Sequence, residues 1–243
     1  MQGETTGNYA ELAEDLDELL GLSVAPIGIT FSNVEPEGIA RFEGAMPPPT
    51  EDGRTGRVPA GCVFWVRSTE RTFATVPEDH GNCSVGSLTH GLKPLADVAA
   101  NSDVAALVQS GWVSPEVFPH IPVVKERANF IVYGPLAEAK TDPDVVFIRL
   151  NGKQQMLLHA AWPELRFEGK PQCHIIPIAK EEGEIAVSVG CMLSRVRTGI
   201  SNNEVTCAIP WTLLPALIEK LRMSRGADLN VAIYAAEDSK RFL

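Results

Sequence analysis

Val145-Val146-Phe147-Ile148-Arg149-Leu150 and, two residues later, Lys153-Gln154-Gln155-Met156-Leu157-Leu158-His159-Ala160-Ala161 decide the fold class of this chain. The first run is short, β-branched and aromatic, the composition of a buried strand. The second is a short helix stopped by Pro163, whose ring and missing N–H end the hydrogen-bond ladder. Phe130-Ile131-Val132-Tyr133 is a second clear strand, and further strands are expected at 174–177, 185–189 and 205–209. Toward the N-terminus, Tyr9, Leu12, Leu16, Leu19 and Leu20 recur at helical spacing, with Thr6 or Asn8 as cap and Gly21 as stop. Pro26-Ile27-Gly28-Ile29-Thr30-Phe31 follows as a strand, and 62–66 and 72–76 as two short ones. Helices are expected over 84–92, from Pro94 to Gly111, and over 211–225 with Gly226 as cap. Residues 229–234 form a last strand or a helical extension. This alternation predicts an α/β (or α+β) architecture, a mixed sheet flanked by helices in a single domain over 1–243 of one body or two lobes. Residues 33–60, rich in Pro and Gly and containing Pro47-Pro48-Pro49, make a loop long enough to serve as a lid.

The chain is 243 residues long and 44% hydrophobic, enough to bury a core without covalent staples. Its 21 basic and 31 acidic residues give a net charge of −10, which argues against nucleic-acid or anionic-membrane surfaces. Met1-Gln2-Gly3-Glu4-Thr5 lacks the charged and apolar regions of a secretion signal, and no apolar run is long enough to cross a bilayer. The expectation is a cytoplasmic protein, where structural disulfides are rare. The five cysteines fit that view, being odd in number and without a C-x-x-C pair. Nucleophile elbow, Walker loop, Rossmann glycine fingerprint and zincin motifs are absent from the sequence.

Three of the thiols share a context: Gly61-Cys62, Gly81-Asn82-Cys83 and Gly190-Cys191 each place glycine one or two positions earlier. Glycine lets the backbone approach a bulky bound group. Cys83, in Asp79-His80-Gly81-Asn82-Cys83-Ser84-Val85-Gly86, stands where a helix begins, a position that favours thiolate. Asp79, His80 and His90 are the acid–base candidates beside it. Cys191 falls at the carboxyl end of a strand, where α/β sheets gather ligands. Arg195 and Arg197 follow it as a candidate clamp for an anion. Cys173 and Cys207 are expected to pack in the core, and the competing reading is that all five thiols are small buried hydrophobes.

Taken together, Leu19-Leu20-Gly21-Leu22, Pro26-Ile27-Gly28-Ile29, Gly61-Cys62, Asp79-His80-Gly81-Asn82-Cys83-Ser84-Val85-Gly86, Gly190-Cys191, Arg197-Thr198-Gly199 and Ala208-Ile209-Pro210 resemble the domain of unknown function family 169, an archaeal conserved-region family, over nearly the whole chain. The resemblance implies that Cys62, Cys83 and Cys191 belong to one site. It carries no activity with it.

Three thiolates from separate segments suit a 4Fe-4S cluster with three cysteine ligands and a fourth iron left open, or bound by His90, an acid or substrate. Zinc is the alternative metal. The expected function is a cluster-dependent enzyme acting on a small anionic molecule, of lyase, desulfurase or dehalogenase type. A non-enzymatic electron carrier or redox sensor, and a metal-free cysteine enzyme using Cys83, are the alternatives. Trp112, Val113, Val117 and Phe118 offer a surface for a homodimer.

Overall fold

Alternate side chains of the central strands serve two different cores, and the positions of the helices follow from that division. The computed structural model describes residues 8–43, 61–81, 83–100, 102–169, 171–191, 194–195 and 198–240. Within them β1 (Ile27–Ser32), β2 (Phe73–Thr75), β3 (Phe130–Pro135), β4 (Val145–Leu150), β5 (Arg166–Glu168), β6 (Ala186–Ser188) and β7 (Val205–Pro210) form one sheet. The strand order is β2-β3-β1-β4-β7-β6-β5. β5 runs parallel to β6, and the other pairings are antiparallel, so the sheet is mixed, as the sequence predicts.

Val146, Ile148 and Leu150 of β4, Val187 of β6, and Cys207 and Ile209 of β7 face one core. There they meet Leu16 and Leu20 of α1 (Tyr9–Leu20), and Leu217 and Leu221 of the C-terminal helix (Leu214–Ser239). The helix Gly152–Ala161 adds Leu157 and Leu158 to the same core. Val145, Phe147, Ala186 and Ala208 point the opposite way, into a core shared with Ile27, Ile29, Ile131 and Tyr133. That core is closed by Phe64 and Trp65 of α2 (Gly61–Arg67) and by Ile175, Ile176 and Ile178. Burying one such large side chain is worth about 1.5–3 kcal/mol, against an ordering cost of about 1–2 kcal/mol for each backbone residue fixed. A smaller cluster of Leu88, Val98 and Val104 joins α3 (Ser84–Thr89), α4 (Leu95–Ala99) and α5 (Ser102–Gln109).

The helix ends carry the expected chemistry. Asn8 Oδ1 accepts the Glu11 N–H at 3.2 Å, and Gly21 closes α1 in the left-handed conformation at φ +65°. Asn151 and Gln154 exchange side-chain-to-backbone bonds of 3.0 and 2.7 Å in a capping box.

Several expectations are corrected. Residues 62–66 lie in the helix α2, and 174–177 in a tight helical run comprising Gln172–His174, Ile175–Pro177 and Ile178–Glu182. The stretch after Pro94 is divided into α4 and α5. Gly226 does not end the last helix, which continues to Ser239. Asp228 bridges that glycine by pairing with Arg225 at 2.8 Å and with Lys153 at 3.1 Å. β5 had no counterpart in the sequence reading. Of the 33–60 segment, 44–60 lie outside the described residues, as does Thr6. Ala40 and Phe42 bond to Ala74 of β2, and the Phe42 ring stands 4.8 Å from those of Phe64 and Phe73. No described helix is long and apolar enough to cross a membrane.

Candidate functional site

Four segments that are remote in sequence converge beside the second core. The first turn of α2 brings Gly61, Cys62 and Trp65. The start and end of α3 bring Cys83, Gly86 and His90. Pro171-Gln172-Cys173 forms a third wall, and Cys191 with Ser194, after β6, a fourth. Together they line a small, open cavity of about 30 Å³. Gln172 Nε2 donates to Ser194 Oγ at 2.6 Å, tying the third wall to the fourth.

Cys62, Cys83 and Cys191 are half-buried, and none of the five cysteines forms a disulfide. Cys83 is the N-cap of α3, and its sulfur accepts the Gly86 N–H at 3.3 Å. Cys173 is buried in the second core, as expected, and also reaches the lining. Burial pushes its thiol well up, and the charges of Cys83, Cys191 and Cys62 push it further, against a bond to Thr89 that lowers it. Four cysteines thus share the lining of one space. Cys207 is on the other side of the sheet, fully buried, its thiol raised by burial alone.

The acid–base candidates separate. His90 lines the cavity. Its Nδ1 lies 2.8 Å from the Gly86 carbonyl, which can only accept, so the proton sits on Nδ1 and Nε2 carries a bare lone pair. Among the described residues, Nε2 is buried without a hydrogen-bond partner. Burial lowers the imidazole to about 4, against the upward pull of the Gly86 carbonyl. His80 stands behind Gly61. Thr75 donates its hydroxyl to the Ile131 carbonyl at 3.1 Å and accepts from His80 Nε2 at 3.0 Å, leaving Nδ1 bare. Burial, then the neighbouring His90, hold His80 well below its ordinary value. Asp79 is outside the lining: its carboxylate takes the Val76 N–H at 2.8 Å and stands 3.9 Å from Arg41.

Arg195 is also outside the lining. Its guanidinium donates to the carbonyls of Val189 at 2.8 Å, Glu204 at 2.7 Å and Ser201, latching the loop that carries Cys191. Arg197 lies outside the described residues. Sequence reasoning missed Cys173, Gln172, Ser194 and Trp65. Pro171 and Pro177, which bracket the Cys173 run and lack N–H donors, were the available signal against a strand there.

Among the described residues, no three His, Cys, Asp or Glu side chains converge closely enough to hold a single metal ion. The sulfurs surround a space, and the donor set of thiols with one bare imidazole nitrogen is the soft set that iron–sulfur and zinc centres use. The model of a family described as uncharacterised ArCR, DUF169, matches residues 15–220. No curated protein and no solved structure matches the chain.

Proposed function

The chain belongs to the DUF169 family, and we propose that it holds an iron–sulfur cluster of the 4Fe-4S type through Cys62, Cys83 and Cys191 and acts on a small anionic molecule at that centre. The observation that carries the reading is the convergence of four cysteines and His90 on the lining of one cavity. Crowded thiolates repel one another, and a cationic metal group at their centre turns that repulsion into attraction.

When bound, such a cluster supplies an iron that polarises an oxygen, sulfur or halogen of a small molecule, the chemistry of a lyase, desulfurase or dehalogenase. The remaining work falls to the chain. The Gly86 N–H aimed at Cys83 Sγ withdraws charge from that sulfur, the kind of bond that tunes a cluster's potential. Trp65 and Pro171 give the lining an apolar wall that limits water. Arg195 fixes the loop of Cys191 from behind.

The test is anaerobic purification followed by iron and acid-labile sulfide analysis and visible absorbance, on the native chain and on Cys83→Ser, Cys191→Ser and Cys207→Ser. The expected result is a coloured protein that loses iron and sulfide in the first two variants and keeps both in the third. A colourless native protein, or a Cys83→Ser variant with unchanged iron, sulfide and absorbance, sinks the reading. A colourless protein whose Cys83 is hyper-reactive to alkylation returns the metal-free cysteine enzyme to first place.

A further inference from the structure

We propose that His90 Nε2 is itself a ligand atom of the centre and occupies, in the resting protein, the position that the three thiolates leave. This rests on the cluster reading above. A histidine that binds a metal through one ring nitrogen characteristically anchors the other through its N–H to a carbonyl or carboxylate, which fixes both tautomer and ring orientation. His90 has both halves of that arrangement. Its Nδ1–H is held by the Gly86 carbonyl at 2.8 Å, while Nε2 is bare, wholly buried and part of the same lining as the thiols.

One residue orients both kinds of ligand. The Gly86 carbonyl holds His90, and the Gly86 N–H holds Cys83 Sγ at 3.3 Å. Gly61 keeps the approach open: a Cβ there would stand 3.6 Å from His90 Nε2, whereas glycine presents only hydrogen. Cys173 is the competing fourth ligand, but it is more deeply buried than the other three lining thiols and is bonded to Thr89. His80 is the natural control. It too has a bare buried nitrogen, Nδ1, 3.9 Å from the same point at Gly61, yet it does not line the cavity. A small molecule acting at such a centre would compete with the imidazole of His90 for that position.

The experiment uses the full chain, purified anaerobically from cells fed isotope-labelled histidine and reduced with dithionite. Pulsed electron–nuclear double resonance reads directly bonded histidine nitrogen. The expected result is a strong coupling in the native protein and in His80→Gln, lost in His90→Gln and in His90→Cys. The cysteine variant supplies a replacement ligand and keeps the cluster loaded where glutamine does not. A loaded native protein without the coupling, or a coupling that survives in His90→Cys, overturns the assignment of His90 and leaves the cluster reading standing. A native protein free of iron and sulfide overturns both.

Discussion

Arg195 Nη2 lies 2.9 Å from the point that a Cβ on residue 190 would occupy, so a side chain at Gly190 would have to push the Arg195 guanidinium aside. Gly190 also holds φ +110°, a conformation that L side chains rarely adopt. Gly190→Ala is expected to cost about 1–3 kcal/mol from the backbone alone, plus the displaced guanidinium. Gly111→Ala is the comparison, at φ +71° with nothing within 4 Å of its Cβ position. Urea unfolding should place Gly190→Ala clearly below Gly111→Ala. Equal losses would mean that the Arg195 contact contributes nothing.

Arg195→Lys should loosen the same loop. A lysine ammonium is a point charge that cannot span the carbonyls of Val189, Ser201 and Glu204 as the planar fork does. Two of these bonds are exposed and one is partly buried, so the expected loss is about 0.5–1.5 kcal/mol, with faster proteolytic cleavage between 189 and 204. An unchanged cleavage rate there would contradict the latch.

Acid should destabilise the fold in two stages. The unfolded chain protonates its histidines near 6.5, whereas burial keeps His80 and His90 neutral in the folded protein, His90 down to about 4. The unfolded state therefore binds more protons below 6.5, and stability falls from there toward 4 by at most about 1.4 kcal/mol per pH unit for each histidine. Glu204 adds the second stage. Burial raises its carboxyl, but bonds to Arg149 and Ser23 outweigh that and lower it below 4.5. Its contribution is present above that ordinary value and is lost as pH falls through the lowered one. Urea midpoints measured from pH 7 to 4 should show a shallower slope in His80→Gln than in the native chain, and equal slopes would refute the histidine contribution.

Cys207→Ala tests the partition made by the sheet. Its sulfur is fully buried among Val146, Ile148 and Leu217, so the change should cost about 1 kcal/mol for the small cavity left behind. Iron and sulfide should stay at native levels, whereas Cys62→Ser should lower both. Loss of iron in Cys207→Ala without unfolding would show that the two faces are not independent.

The sheet was largely legible because Val145 through Leu150 and Val205 through Ile209 are apolar runs bounded by turn residues, and the caps of α1 follow from Asn8 and Gly21. The two misread segments failed for one physical reason. Phe64 and Trp65 are adjacent and both buried in the same core, as are Ile175 and Ile176. Neighbours on a strand point to opposite faces, so a strand cannot serve such a pair, while a helical turn can. Strand propensity in those aromatic and β-branched residues was overruled by what lay beneath them. Losing the second turn also hid Cys173, since a strand sends adjacent side chains apart. Glycine beside each of the other three thiols was visible, but their meeting place depends on contacts between residues more than a hundred positions apart.

That separation governs when the centre comes into being. Cys62 and Cys83 arrive early in the chain, but the wall that completes the cavity hangs from β6, and β6 is hydrogen-bonded to β7, which ends at Pro210. The first two thiols have no completed chamber to share until the last strand is in place. A chain cut short before β7 would carry the same four thiols, but with the strand that supports their fourth wall left without its antiparallel neighbour.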